Sequence, residues 1–311
     1  MKRRIFLRNS LLSAGALAID PLSFSSAAPK LKISLAEWSL HRALQAKQLH
    51  HLDFPITAKK TYGIDAVEYV SGFFGLDRNM TQQEAGKNTA YLKELLQRSK
   101  DAGVYNNLIM VDQEGPLAIP DDTIRLKAVE DHKKWVDAAS LLGCTIVRVN
   151  LQGEGDRAAK KTAAVDSLSR LGEYAGTQHI NVVVENHGGD SSRADWLVSI
   201  MQQVGRKNVG TLPDFGNFCI GQAWGSTQGN CPEAYDTYTG VAELLPFAKG
   251  VSAKTYDFDA NGNQPKMDYQ KLIGLVKKSG FNGYIGIEYE GENQPEDEGI
   301  KRTKALLNKL L

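Results

Sequence analysis

Three carboxylate side chains each follow a short apolar run that has the length of a β-strand. They are Glu185, Asp214 and Glu288. A carboxylate beside an apolar interior costs several kcal/mol unless a partner compensates it, and three together also raise one another's pKa. A divalent cation removes both problems, and oxygen ligands suit manganese or magnesium. The pattern therefore predicts a metal site made of these three side chains, with separate pairing to lysines or arginines as the alternative.

Six more side chains fall at or near predicted strand ends and are candidates for binding a substrate. They are His187, Lys254, Arg148, Asn150, Trp38 and Glu68. Arg148 is equally compatible with a salt bridge inside the fold, and Trp38 with core packing. Lys254 is predicted either to neutralise the carboxylates or to bind a substrate oxyanion. Ser252 lies two residues earlier, so the two side chains share one face of a strand.

The elements that must position these residues alternate along the chain, with β-rich runs separated by longer segments of helical period. Eight runs are predicted as strands: Lys32–Glu37, Ala66–Tyr69, Asn107–Val111, Thr145–Asn150, Asn181–Glu185, Gly210–Asp214, Gly250–Lys254 and Tyr284–Tyr289. This count predicts an α/β fold with a single (β/α)₈ TIM barrel, which usually takes about 250 residues and carries its chemistry at the carboxyl ends of the strands. A doubly wound open sheet is the alternative, but no Gly-x-Gly-x-x-Gly follows an early strand.

Helices are predicted between the strands, for example over Gln83–Ala102, Thr123–Leu142 and Ala158–His179. A last helix is predicted to begin at Glu296, after Pro295, because negative charge at a helix start interacts favourably with the helix dipole.

Residues 1–28 are predicted to be an export signal, and residues 29–311 to form the barrel domain. The segment begins with the string Arg3-Arg4-Ile5-Phe6-Leu7-Arg8, continues with a short apolar stretch and ends with small residues. The string resembles a twin-arginine signal, which implies export to the periplasm; a general secretory signal is the alternative. Asp20 interrupts the apolar stretch and argues against a permanent membrane anchor.

Charge and cysteine content indicate which binding partners and which disulfides to expect. The whole chain has a net charge of +1, which becomes −2 without the four basic residues and one acidic residue of the leader. There is no basic run, so nucleic acid is not an expected partner. Cys144 is expected to be a buried thiol, whereas Cys219 and Cys231 have a spacing that leaves their pairing open. A homo-oligomer is compatible with the sequence.

The strand-end motifs resemble those of the xylose-isomerase-like barrels, a family of sugar isomerases and epimerases. The matching pieces are Glu185-Asn186-His187, Asp214-Phe215-Gly216-Asn217 and Gly286-Ile287-Glu288. The resemblance implies a metal held by a glutamate, an aspartate, a histidine and a glutamate from strands five to eight. Ser252 stands where the histidine is expected, so the fourth ligand is left open between His187, a water held by Ser252 and a shifted side chain. In the extreme alternative, the charge of Lys254 replaces the ion.

The resemblance also implies a reaction. Glu185 and Glu288 would remove and return a proton next to a carbonyl, through an enediolate, in a non-phosphorylated keto sugar. This would make the protein a metal-dependent isomerase or epimerase, with manganese, magnesium, cobalt and zinc not distinguished. The alternatives are a lyase acting on a 3-keto-glycoside and a non-catalytic sugar-binding barrel. A related branch cuts abasic DNA with several metals and many histidines, but this chain has six histidines in total.

Overall fold

The computed structural model describes residues 31–222 and 224–311. The predicted export signal, residues 1–28, lies outside the described residues. Within the described part of the chain, no helix combines the length and apolar character needed to cross a membrane.

Eight parallel strands form the centre of the molecule, which confirms the predicted TIM barrel. They are β1 (Lys32–Ala36), β2 (Ala66–Val70), β3 (Tyr105–Met110), β4 (Ile146–Val149), β5 (Asn181–Glu185), β6 (Val209–Leu212), β7 (Val251–Thr255) and β8 (Tyr284–Tyr289). The order in the sheet is β6-β5-β4-β3-β2-β1-β8-β7. Isolated parallel bridges, Thr211 to Ala248 and Asp214 to Ser252, join the two outer strands and close the sheet on itself.

Strand β6 is shorter than predicted, because Pro213 interrupts it. Proline has no N–H to donate to a ladder. Its carbonyl still accepts a hydrogen bond of 2.9 Å from the Ser252 amide, and the Phe215 amide donates to the Ser252 carbonyl over 3.2 Å. Asp214 therefore lies just beyond the strand, in the backbone segment that closes the barrel.

Ten α-helices lie in the connections of the described chain. They are α1 (His41–Gln45), α2 (Phe54–Tyr62), α3 (Gln82–Lys87), α4 (Thr89–Asp101), α5 (Asp122–Leu142), α6 (Arg157–Gly176), α7 (Ala194–Val204), α8 (Thr237–Leu244), α9 (Tyr269–Lys278) and α10 (Glu296–Leu310). The predicted starts of α5, α6 and α10 are confirmed to within one residue.

The prediction of one continuous helix over Gln83–Ala102 is wrong, because the structure has two helices there, α3 and α4. Asn88 lies between them with an extended backbone, and its side chain accepts a hydrogen bond of 3.0 Å from the Tyr91 amide. Asparagine competes with helical hydrogen bonding in this way, so it caps a new helix instead of continuing the old one.

The barrel interior is polar on the axis, and one glycine makes room for a carboxyl group there. Glu68 on β2 accepts hydrogen bonds at Oε1 from Ser34 (2.5 Å) and Asn107 (3.0 Å). A Cβ on Gly286 of β8 would lie 2.5 Å from Glu68 Oε2. Glycine at 286 is therefore needed for close packing against Glu68.

Cys219 and Cys231 form a disulfide with a Cα–Cα distance of 5.7 Å, which resolves the pairing that the sequence left open. Cys144 is a buried free thiol, as predicted. The disulfide ties together the loop of residues 213–236, which joins β6 to α8 and carries Trp224.

Candidate active site

The three predicted carboxylates converge at the carboxyl end of the barrel. Glu185 ends β5, Asp214 follows β6 and Glu288 lies near the end of β8. One oxygen from each lies within 4.8 Å of the others, and all three side chains are buried. Because the three carboxylates are buried next to one another, their ionised forms are unfavourable unless positive charge compensates them.

Glu185 is bound on one oxygen and incompletely satisfied on the other. Asn217 donates to Oε1 over 3.0 Å. Arg148 Nε lies 2.9 Å from Oε2, but its N–H is not directed at that oxygen, and no donor in the described residues hydrogen-bonds to it. Burial raises the pKa of Glu185 to about 7, although the nearby Arg148 charge acts in the opposite direction.

Asp214 has hydrogen-bond donors but no cation in contact. Ser252 Oγ lies 2.5 Å from its Oδ2, and the Gly216 amide donates to Oδ1 over 2.8 Å. No lysine or arginine of the described chain lies within ion-pair distance of it. Burial raises the pKa of Asp214 well above its usual range. Asn186 fixes this residue through its backbone, accepting from its amide (2.8 Å) and donating to its carbonyl (3.0 Å).

Lys254 on β7 is a buried cation in the middle of the acidic side of the site. Its Nζ lies 3.1 Å from Glu288 Oε1 and 3.3 Å from Glu290 Oε2, and it donates to Asn217 Oδ1 over 3.1 Å. Burial alone would lower the pKa of Lys254, but the surrounding carboxylates, Asp214 foremost, raise it well above its usual range. The lysine is therefore a fixed positive charge, and it also holds the pKa of Glu290 below its usual value against the effect of burial.

Ser252, at the uncertain fourth position, contacts two of the carboxylates. Its Oγ lies 3.0 Å from Glu288 Oε2 in addition to its contact with Asp214. A hydroxyl has one proton to donate, so it satisfies one of the two carboxylates at a time.

On the other side of the site, Arg148 and Asn150 share the partner Asp112, and His187 contacts Asn150. Arg148 Nη1 donates to Asp112, and Asn150 Nδ2 donates to Asp112 Oδ1 over 2.9 Å. His187 Nδ1 lies 3.0 Å from Asn150 Oδ1. An amide oxygen only accepts, so His187 is the donor through Nδ1. Burial, followed by the Arg148 charge, lowers the pKa of His187 to about 4, which leaves the ring neutral.

A cavity of about 560 Å³ opens at this end of the barrel. Of the predicted site residues, Trp38, Arg148, His187 and Glu288 line it. Trp38 Nε1 donates to Glu290 over 2.6 Å, which connects it to Lys254.

The remaining predicted side chains do not line this cavity, and among them Glu185, Asp214 and Ser252 are buried beneath the barrel mouth. Asn150 and Lys254 are buried in the networks that hold His187 and Glu288, and Glu68 lies inside the barrel. Burial raises the pKa of Glu68 to about 7, although hydrogen bonds from Ser34 and Asn107 act in the opposite direction.

Three residues of this arrangement were missed in the sequence. Asp112 and Glu290 each directly follow a predicted strand, so their position was a usable signal. Asn217 connects Glu185 to Lys254, and nothing in the linear sequence indicates that pairing.

The separate-pairing alternative holds for two of the three carboxylates, since Glu185 lies against Arg148 and Glu288 against Lys254. Asp214 has no such partner, and one oxygen of Glu185 accepts no hydrogen bond from the described residues. The buried acidic triad therefore still has the donor set and the unmet charge that suit a divalent cation.

Comparison with known proteins places this geometry in a family. Residues 56–310 match the model of the xylose isomerase-like TIM barrel. The chain belongs to the xylose isomerase-like TIM barrel family. The resemblance seen in the strand-end motifs is thereby confirmed.

Several solved structures have the same fold. A sugar phosphate isomerase/epimerase from Parabacteroides distasonis has a TM-score of 0.64 at 16% identity, over 94% of this chain and 97% of that one. A xylose isomerase-like protein from Mycobacterium smegmatis, in complex with magnesium, has a TM-score of 0.62 at 19% identity (90% and 96%). The 3-keto-D-glucoside 4-epimerase of E. coli has a TM-score of 0.60 at 12% identity (90% and 99%). At these identities the likeness shows the fold.

Curated relatives match over short segments. A C-glycoside deglycosidase alpha subunit from Arthrobacter globiformis is 33% identical over 76 residues, which is 22% of this chain and 21% of the relative. One from Microbacterium trichothecenolyticum is 38% identical over 48 residues, which is 15% and 13%. The chain thus matches about a fifth or less of the length of these relatives. The match to the xylose isomerase-like family, with epimerases among the structural neighbours, supports an enzyme.

Proposed function

We propose that this protein is a metal-dependent isomerase or epimerase that moves a proton next to the carbonyl of a non-phosphorylated keto sugar. The observation that carries the proposal is the buried triad Glu185, Asp214 and Glu288, with oxygens within 4.8 Å of one another at the catalytic end of the barrel. Epimerases among the structural neighbours support the same reaction class.

The triad would hold the divalent cation, whose chemistry is to polarise the substrate carbonyl and its neighbouring hydroxyl. Asp214 acts as a ligand only. Ser252 donates a hydrogen bond to the carboxylates, and in this proposal it orients them and does not itself bind the ion. Magnesium and zinc are bound by two of the structural neighbours.

Glu185 and Glu288 are the proposed proton carriers, and their partners fix where each carboxylate points. Asn217 and Arg148 hold Glu185, while Lys254 and Ser252 hold Glu288. Neutral His187 donates through Nδ1 and therefore presents Nε2 as an acceptor for a substrate hydroxyl. Positioned carboxylates of this kind are suited to general acid–base catalysis.

A non-phosphorylated sugar is favoured by the electrostatics of the cavity. Among the described lining residues, Arg148 is the one lysine or arginine, and it is already bound to Asp112 and lies against Glu185. Phosphate binding usually relies on free arginine or lysine side chains or on backbone amides at a helix start. A phosphate here would meet carboxylates instead.

A second candidate is a lyase that eliminates a group from a 3-keto-glycoside after the same proton abstraction. The short matches to C-glycoside deglycosidase alpha subunits favour it. Both reactions begin with the same step, so the two proposals differ in whether a leaving group is present beside the enolised carbon.

We also propose that the protein is exported to the periplasm. The twin-arginine-like string at residues 3–8 supports this, and so does the Cys219–Cys231 disulfide, since disulfides persist in oxidising compartments. Replacing Arg3 and Arg4 by lysine should leave the protein in the cytoplasmic fraction of the producing cells. Unchanged periplasmic accumulation of that variant would count against the twin-arginine route.

The test of the main proposal combines metal analysis with isotope exchange. Purified protein should contain about one divalent ion per chain, and Glu185→Gln and Asp214→Asn should lose it, whereas Asp131→Asn on the surface should keep it. The wild type in deuterium oxide should exchange solvent deuterium into a keto sugar. Unchanged metal content in both site variants would refute the site, and absence of exchange into any sugar of a broad panel would refute the reaction.

A further inference from the structure

The cavity above the carboxylates has two chemically different halves. One half is lined mainly by the apolar residues Trp38, Val70, Phe73, Leu76 and Met110, together with the exposed amides of Gln45 and Gln113. The other half presents Arg148, His187, Glu288 and Glu290. Asp112 lies where the two halves meet and is bound to Arg148.

The division follows the barrel. The apolar residues come from the ends of β1, β2 and β3 and the segments that follow them, whereas the triad comes from β5, β6 and β8. In a closed eight-stranded sheet, β1–β3 face β5–β7 across the mouth. Val70 and Met110 are register neighbours, and Met110 is the neighbour of Arg148, so one boundary between the halves lies between β3 and β4. The other lies between β1 and β8, where Trp38 donates to Glu290.

In the apolar half, Val70, Phe73 and Met110 are buried, whereas Leu76 is exposed. Trp38 and Phe73 stack at 5.9 Å, and Leu76 is 38% exposed. Trp224, from the loop held by the disulfide, is 52% exposed and lies 5.1 Å from the His187 ring. Aromatic rings and a methionine thioether pack well against another flat ring.

A free sugar does not match both halves. Its hydroxyls would be satisfied at the polar half, but hydroxyls turned toward Val70, Phe73, Leu76 and Met110 would find no hydrogen-bond partner among those side chains. At about 560 Å³, the cavity is in the range of roughly 300–1,000 Å³ that holds ligands larger than one sugar ring.

We propose that the half of the cavity formed by β1–β3 binds an aromatic group attached to the sugar, so that the substrate is a keto-glycoside with an aromatic aglycone. This inference rests on the proposed function for the placement of the keto sugar at the carboxylates. The aglycone lies against Phe73, Leu76 and Met110, while the sugar ring faces Arg148, His187 and Glu288.

The test measures equilibrium binding, independently of turnover. Isothermal titration calorimetry compares methyl and phenyl 3-keto-glucopyranosides of the same anomeric configuration. Phenyl should bind at least about tenfold more tightly, as expected for burying one ring. Leu76→Ser should reduce that preference by about threefold or more. Leu126→Ser is the matched control, because Leu126 is 37% exposed and lies on α5, away from this cavity.

The outcomes separate the inference from the proposed function. Equal affinity for the two glycosides, no binding of either, or a phenyl preference that both leucine variants keep would overturn the aromatic subsite. Deuterium exchange into the methyl glycoside tests the proposed function on its own. Tighter binding of the phenyl glycoside without deuterium exchange would support the aromatic subsite and refute the proposed reaction. Deuterium exchange without tighter binding of the phenyl glycoside would support the reaction and refute the subsite.

Discussion

At the scale of single residues, the site is built from carboxylates whose charge is only partly compensated. Lys254 and Arg148 supply two positive charges, while Asp214 has hydrogen-bond donors alone. Glu68 lies deeper in the barrel with one oxygen that no described donor satisfies. The interior is therefore organised for binding and chemistry at the cost of stability, which is typical of functional sites.

The pH dependence of stability should report on Glu68. Burial raises the pKa of this carboxyl from 4.5 to about 7. A raised carboxyl pKa means that the folded state binds the proton more tightly, so the stabilisation is complete below pH 4.5 and is lost as the pH rises through about 7. Glu68→Gln keeps an acceptor for Ser34 and Asn107 and removes the titration. Between pH 4 and pH 8, its stability should improve relative to the wild type by roughly 3 kcal/mol.

Urea unfolding at several pH values measures this difference. Glu154→Gln, at an exposed position, is the control and should change the pH profile little. Parallel pH profiles for wild type and Glu68→Gln would mean that the pKa of this carboxyl is the same in the folded and the unfolded protein.

At the scale of elements, the loop between β6 and α8 is the part of the site held by a covalent bond. It carries Trp224 against His187, and the Cys219–Cys231 disulfide closes it over a sequence separation of 12. The neighbouring loops depend on hydrogen bonds and packing, so this one is the most sensitive to the redox state of the surroundings.

Reduction of the disulfide should destabilise the protein. The chain-entropy model gives about 3 kcal/mol for a loop of this size. Wild type in a phosphine reductant should lose roughly that free energy of unfolding, and the double variant Cys219→Ala, Cys231→Ala should be insensitive to the reductant. Cys144→Ala, which keeps the disulfide, should respond to reduction as the wild type does. A wild type equally stable under both conditions would show that the loop is held by packing alone.

Prediction from the sequence succeeded for the elements because each strand is a short apolar run ending in a turn, a pattern that neighbouring residues determine. The same rule predicted Asp214 at the end of the sixth strand, and the structure places it just beyond β6. The pairing of Lys254 with Glu288 and Glu290, or of Asn217 with both Glu185 and Lys254, joins residues on different strands. Such contacts depend on how the barrel closes, which no local pattern specifies. The break at Asn88 was missed because helical period continues across it.

At the scale of the whole molecule, eight strands collect side chains from distant parts of the chain into one mouth. The triad spans residues 185 to 288, and its apolar counterpart lies between residues 38 and 110. The fold therefore brings a charged surface and a hydrocarbon surface together at a single opening. Binding of a ligand at this opening should therefore increase the free energy of unfolding of the protein.

Binding of a divalent ion should raise the melting temperature of the barrel. A ligand at 100 times its dissociation constant stabilises the folded state by about 2.7 kcal/mol. Calorimetry in manganese, and again after chelation and dialysis, should show the increase and its loss. Asp214→Asn should abolish the increase, and Asp131→Asn on α5 should retain it. An equal increase in both variants would assign the effect to ions bound elsewhere.

Because the barrel closes at Asp214 and Ser252, binding of a ligand in the site should be visible at the backbone of these strands. The amides of Ser252 and Phe215 form the hydrogen bonds that join the two outer strands, and the side chains of Ser252 and Asp214 belong to the site. Breaking these hydrogen bonds between the two outer strands therefore also moves the side chains of the site, so both occur in one local fluctuation. Amide hydrogen exchange at Ser252 and Phe215 should slow when the site is filled, which makes two backbone protons a label-free reporter of ligand binding.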